Sequence, residues 1–154
     1  MESLLLSMQL GYKIATKYDI SLLIELEKTL LGISTYSAEV DVADWLADLK
    51  NGIVYLVELD GEVIGNASYE PRGADAFYLS GIMIVPRFQG KGIGKMIVQK
   101  LLDDMKGAKR IELVTYPDNV AALKLYQGAG FVVESRHENY WGEGEPRLLL
   151  ALSR

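Results

Sequence analysis

Cysteine is absent from the 154-residue sequence, and histidine occurs once, at His137. Without thiols the fold cannot rest on a disulfide, and the chemistry cannot use a thiolate metal site or a cysteine nucleophile. One histidine does not build a zinc site, so no metal is expected. A basic run is also missing. The 21 acidic and 16 basic residues leave a formal charge of −5, and no stripe of Lys and Arg is available to release counterions from a phosphate backbone. A nucleic-acid partner is therefore not expected, whereas a cationic amine suits the charge balance. Long apolar runs are lacking too: Leu4 to Leu10 is broken by Ser7 and Gln9 and preceded by Glu2, the wrong charge for a signal peptide. Neither a targeting segment nor a membrane contact is expected, and the cytoplasm is the default compartment.

What is present, 49% hydrophobic residues in a chain of this length, suffices for one core and is too little for two ordinary domains. Residues 1–11 read as an N-terminal extension and 12–154 as a single domain, without repeats, low-complexity tracts or linkers. The pattern predicts a short strand over 12–15. It then predicts a helix capped by Asp19, with Ile20, Leu23, Ile24, Leu26, Glu27 and Leu30 at helical spacing. A second helix over 41–49 places Val42, Trp45, Leu46 and Leu49 on one face. Two β-rich runs, 53–59 and 62–69, flank Asp60-Gly61, a strong hairpin signal because both central positions favour positive φ. The run 77–85 is apolar on both faces and ends at Pro86, which suits a buried central strand. Helices are expected over 92–106 and 118–129, and strands over 111–115, from 131, and over 147–152. Together these predict a mixed α/β sheet with about four helices.

Chemistry concentrates in Val85-Pro86-Arg87-Phe88-Gln89-Gly90-Lys91-Gly92-Ile93-Gly94-Lys95, a Gly-rich turn between a buried strand and a strongly periodic helix. Glycines there let a diphosphate approach the backbone, where the unpaired N–H groups and macrodipole of a helix N-terminus favour an anion. Lys91 and Lys95 add positive charge in an otherwise acidic chain. The run is neither a Walker loop, because Met96 stands where a hydroxyl residue is required, nor a dinucleotide fingerprint, because the glycines are wrongly spaced. A tight turn alone would need the same glycines.

A second segment runs from Asn119 through Ala122, Leu125 and Tyr126 to Gly130-Phe131. Read alone, Asn119 is a helix cap and Tyr126 a core aromatic. Taken together, Gln89-x-x-Gly92-x-Gly94 and Asn119 to Phe131 resemble the GNAT superfamily of N-acetyltransferases, nearest to its ribosomal-protein and N-terminal acetyltransferase branch. The resemblance covers the element order from Tyr12 onward. It implies six to seven strands splayed between the fourth and fifth, with the pantetheine arm of coenzyme A in the gap. By this resemblance, backbone groups of Ile82, Met83 and Ile84 pair with that arm, and amides from Gln89 to Lys95, Ile93 among them, hold the pyrophosphate. Asn119 and Ala122 then adjoin the arm, and Tyr126 acts as general acid on the departing thiolate.

Without a cysteine, direct attack of an amine on acetyl-coenzyme A is simpler than an acyl-enzyme. Related enzymes often carry a base or water-holding residue on the fifth strand; the corresponding residue here is Val114. Glu70, Tyr78 and Glu112 are the candidates that remain, Glu70 first. The run 136–145 resembles a substrate-lining hairpin in which Tyr140 and Trp141 clamp a peptide or an apolar amine; packing at a sheet edge would explain them equally. The expected acceptor is a primary amine, with a peptide or protein N-terminus favoured, and the chain is expected to act as a monomer or homodimer. The alternative is an acyl-coenzyme A binding module that has lost catalysis.

Overall fold

The computed structural model describes residues 9–154. The expected extension over 1–11 thus lies mostly outside the described residues, and its last two positions, Leu10 and Gly11, already belong to the first strand. The elements are β1 (Leu10–Ile14), α1 (Ile20–Lys28), α2 (Val42–Asn51), β2 (Ile53–Leu59), β3 (Glu62–Pro71) and β4 (Ala76–Ile84). They continue as α3 (Ile93–Asp104), β5 (Arg110–Thr115), α4 (Val120–Gly128), β6 (Val132–His137) and β7 (Arg147–Ser153). Seven strands form one sheet in the order β1-β2-β3-β4-β5-β7-β6. Only β4 and β5 run parallel; the other neighbours are antiparallel.

Local chemistry accounts for the element ends, with one change from expectation. Asp19 does not cap α1 with its side chain. Its carboxylate instead accepts from the Thr16 backbone N–H at 2.9 Å, closing a capping box around a 3-10 turn over Lys17–Asp19. Asp41 does cap α2, accepting from Ala43 N at 2.7 Å. At the β2–β3 hairpin, Asp60 and Gly61 both take positive φ, 49° and 85°, the primed-turn geometry whose twist matches the strands.

The core covers both faces of the sheet. Ile93, Ile97, Leu101 and Met105 of the α3 segment are each at most 2% exposed, and Leu23, Leu26 and Trp45 of α1 and α2 are buried in the same cluster. Fully burying such a side chain stabilises by about 1.5–3 kcal/mol. The expected apolar face of α2 is buried only in part. Trp45 is 3% exposed and Leu49 packs partly buried against the core, while Val42 and Leu46 are 53% and 48% exposed.

The feature that positions the site is the brevity of the β4–β5 contact. The two strands pair only from Ala76 to Tyr78 against Arg110 to Glu112. Next to this point the β3–β4 register jumps, Ser68 facing Gly81 and Tyr69 facing Leu79, so Ser80 is an unpaired bulge. Bulges bend and twist the strand that carries them, and β4 leaves β5, which takes β7 as its partner along its whole length. The sheet is therefore splayed between its fourth and fifth strands.

Candidate active site

A cleft of about 680 Å³ occupies the splay. Its inner wall is the β4 segment Tyr78 to Ile82, its far wall the end of β5 with Val114 and Thr115, and its base the start of α4 with Asn119, Ala122 and Tyr126. Backbone groups of β4 beyond Tyr78 bond to β3 on one side only. The groups facing the gap at Ile82 and Met83 are thus available to an extended ligand. Met83 itself sends its side chain into the core, at 1% exposure, whereas Ile82 lines the cleft.

Beyond Ile84 the chain turns at Pro86–Phe88 into the Gly-rich segment. Gln89 ties it back to the strand, its side-chain amide donating to the Ile84 carbonyl at 2.8 Å. Gly90 and Gly92 have φ of 73° and 82°, the left-handed region that residues with a Cβ enter only at a cost of roughly 1–2 kcal/mol. Gly92 is the residue before α3 and supplies no side-chain cap, so the first N–H groups of that helix, from Ile93 onward, are unclaimed donors. Gly94 differs: a Cβ there would meet the tip of Leu125 at 3.4 Å, close to ordinary contact, so the packing of α4 beside α3 does not by itself demand glycine. Lys91 is 5.6 Å from the Phe88 ring centroid, and Lys95 is exposed, both beside this turn. The turn is not among the residues lining the cleft.

Asn119 caps α4, its Oδ1 accepting from Ala122 N at 3.1 Å, and its Nδ2 reaches the Thr35 carbonyl at 3.4 Å. Tyr126 is 7% exposed and stands edge-on to Phe131 at 5.8 Å. Burial, with a smaller contribution from neighbouring Tyr78, raises its phenol further above the usual range, so the hydroxyl is a proton donor at neutral pH.

Glu70 lines the cleft and is bound by Arg72 through contacts of 2.9 and 3.1 Å. Tyr78 also lines it, with the Arg72 guanidinium 4.4 Å from its ring centroid; burial is the main cause of its raised phenol. Glu112 is not brought to the cleft: it pairs with Arg110 at 2.7 Å, at the end where β4 and β5 still touch. Trp141 joins the cleft wall. Tyr140, not a wall residue, stacks edge-on against it at 4.8 Å.

The sequence reading did not single out the opposite wall. Glu27 is 1% exposed. It accepts from the Tyr36 hydroxyl at 2.7 Å, the Glu39 amide at 2.9 Å and the Asn66 side chain at 3.0 Å. Burial raises its pKa, and those bonds work against the rise. Glu39 is pushed up to about 9, first by burial and then by Asp48 beside it. Glu27 announced itself as a carboxylate on the apolar stripe of α1. Arg147, 3% exposed, gave no such sign, standing at the head of an ordinary apolar strand.

The fold so described is shared with a solved structure of yncA from Salmonella typhimurium: TM-score 0.73, 21% identity, 94% of each chain covered. The sequence model of the Acetyltransferase (GNAT) family matches residues 21–131, and the chain belongs to that family. It is 30% identical over 103 residues to the L-amino acid N-acetyltransferase AaaT of Escherichia coli K12, covering 62% of each protein. It is 32% identical over 83 residues to the [Ribosomal protein bS18]-alanine N-acetyltransferase of Salmonella typhimurium, 51% of this chain and 56% of that one. Among the first curated relatives, the chain spans from 21% to 62% of their own length.

Proposed function

We propose that this chain transfers an acetyl group from acetyl-coenzyme A to a primary amine by direct attack in a ternary complex. The observation that carries the reading is the continuity of three features: the left-handed turn at Gly90 and Gly92, the unpaired stretch of β4, and the buried Tyr126 at the base of the cleft. An elongated ligand with an anionic head, an amide-bearing arm and a reactive end meets all three in that order. Family membership and the yncA structure, described with acetyl-coenzyme A, support the choice of ligand.

Amides from Gln89 to Lys95 then hold the diphosphate, with Lys91 and Lys95 nearby. Backbone groups of Ile82 to Ile84 pair with the pantetheine amides, and Asn119 and Ala122 flank the arm. A lysine-like amine of pKa about 10.4 costs on the order of 4–5 kcal/mol to deprotonate at pH 7, so a base is needed, and Glu70 takes that role. The amine nitrogen attacks the thioester carbonyl, and Tyr126 gives its proton to the departing sulfur. A peptide N-terminus is an acceptor that Trp141 on the cleft wall, with Tyr140 stacked against it, suits, and the bS18-alanine relative acts on such a group by name.

One observation favours a second reading. Val114, on the cleft wall, offers no base or water ligand, which fits a module that binds acyl-coenzyme A without turning it over. The test is coenzyme A release from acetyl-coenzyme A across an amine panel, followed with a thiol reagent; the protein, lacking cysteine, contributes no thiol background. Release with an amine supports transfer. Calorimetric binding without release supports the module, and no binding removes both.

A further inference from the structure

Two arginines line the cleft, and they are differently engaged. Arg72 is committed to Glu70 and to the face of Tyr78. Arg147 has a side chain only 4% exposed, facing Glu145 at 3.3 Å, whose own side chain is 48% exposed. Its guanidinium lies 3.6 Å from the Tyr116 ring centroid, which fixes its plane. Nη1 donates to the Pro146 carbonyl at 2.7 Å and Nη2 to Ser37 Oγ at 3.3 Å. Among the described residues, Nε–H has no acceptor and Nη2 has Ser37 Oγ alone, so this side of the guanidinium can take a further acceptor. A buried guanidinium is costly to leave partly paired, and such a side suits a carboxylate.

The surroundings narrow the source of that carboxylate. Ser37 also shares a hydrogen bond of 2.5 Å with the Tyr116 hydroxyl, and Thr35 receives Asn119 Nδ2. The loop between α1 and α2 is thus tied across the cleft beside Arg147, where a polypeptide continuing past the guanidinium would meet it. The other side carries Glu27, Asp48 and Glu70, with Glu39 held protonated among them, and their oxygens can accept from an ammonium. Tyr78 lies within electrostatic reach of both Arg147 and Tyr126.

We infer that Arg147 is the carboxylate-binding residue of the acceptor subsite, and that the acceptor is a free amino acid whose amine faces Tyr126 while its carboxylate pairs with Arg147. This rests on the transfer reading above, within its class of primary amines, and sets a free amino acid in place of the peptide N-terminus. The step is unchanged: an N–C bond forms, the C–S bond breaks, the amine proton passes to Glu70 and the sulfur receives one from Tyr126. The products are an N-acetyl amino acid and coenzyme A.

The experiment compares matched acceptors on the full chain: free amino acids, their carboxamides, the decarboxylated amines, and peptides with an acidic second residue. Calorimetry with acetyl-coenzyme A is run first. A charge-assisted pair discriminates by roughly 10- to 100-fold. The expected result is that each accepted amino acid exceeds its carboxamide by that factor in kcat/KM, chiefly through KM. Arg147→Gln should bring the ratio near one by raising KM for the amino acid alone, and Arg147→Lys should restore part of it. Because Arg147 is buried, the exposed Glu145→Gln serves as a second variant. It removes the competing carboxylate and should lower KM for amino acids a few-fold while leaving carboxamides unchanged. Equal or better turnover of carboxamides, amines or peptides, no turnover of any amino acid, or an Arg147→Gln loss common to all acceptors would overturn the assignment and leave acetyl transfer standing wherever release is seen. Failure to bind acetyl-coenzyme A would bring down the transfer reading and this inference with it.

Discussion

The Tyr36 hydroxyl donates to the Glu27 carboxylate at 2.7 Å, and this bond fastens the loop between α1 and α2 to the wall of the cleft that α1 supplies. The Glu39 amide reaches the same oxygen, so one buried carboxylate on α1 sets where two wall residues stand.

Glu27→Leu should therefore be severely destabilising. It strands the Tyr36 hydroxyl, the Glu39 amide and the Asn66 side chain, at about 1–3 kcal/mol for each buried donor left unpaired. Glu27→Gln keeps the shape and an acceptor oxygen and should cost less. Urea denaturation of both variants measures the difference, and equal midpoints would contradict the bonding described.

Glu39 supplies a pH dependence. Its folded pKa, about 9, is raised above the ordinary value near 4.5 by burial and by Asp48. The folded state therefore holds more protons than the unfolded one between those values. The stabilising contribution of this group is complete below about 4.5 and is lost as pH rises toward 9. Glu39→Gln should flatten that decline, so that the variant gains on the wild type between pH 6 and pH 9 in parallel urea titrations. A wild type whose stability does not fall over that interval would refute the assignment.

Tyr126→Phe should lower turnover by about 10²- to 10⁴-fold with little change in acetyl-coenzyme A affinity, as for loss of a general acid. The ring still packs on Phe131, and the melting temperature should hardly move. Steady-state kinetics beside calorimetry separate the two effects, and unchanged turnover would remove Tyr126 from the chemistry.

Gly90→Ala and Gly92→Ala place a Cβ at φ of 73° and 82°, at roughly 1–2 kcal/mol each. If the turn holds the diphosphate, acetyl-coenzyme A affinity should fall more than global stability does. The converse, unaltered affinity with a lowered denaturation midpoint, would reduce these glycines to turn formers.

Much of the fold was legible because its signals are short-range. The Asp60-Gly61 hairpin, the Asp41 cap, the stripe from Ile93 to Met105 and the stop at Pro86 each depend on neighbours a few residues away. So does the Gly-rich turn, whose anion-binding character follows from helix-end chemistry alone. Where local rules competed, the reading missed. Asp19 had two possible partners and chose Thr16, and the shared apolar face read for α2 did not say how much sheet lies beneath it.

Amino-acid order alone thus determined the family, the element types and the two segments that point toward a coenzyme A ligand. Tertiary structure decided the rest. It set how briefly β4 touches β5, the insertion of β7 between β5 and β6, and which charged side chains are buried around the cleft. Strand pairing and desolvation depend on groups far apart in the chain: Ser37 meets Tyr116 and Arg147, and Glu27 meets Asn66. The worth of such contacts is set by the water that the assembled fold excludes, a quantity no local window of sequence contains.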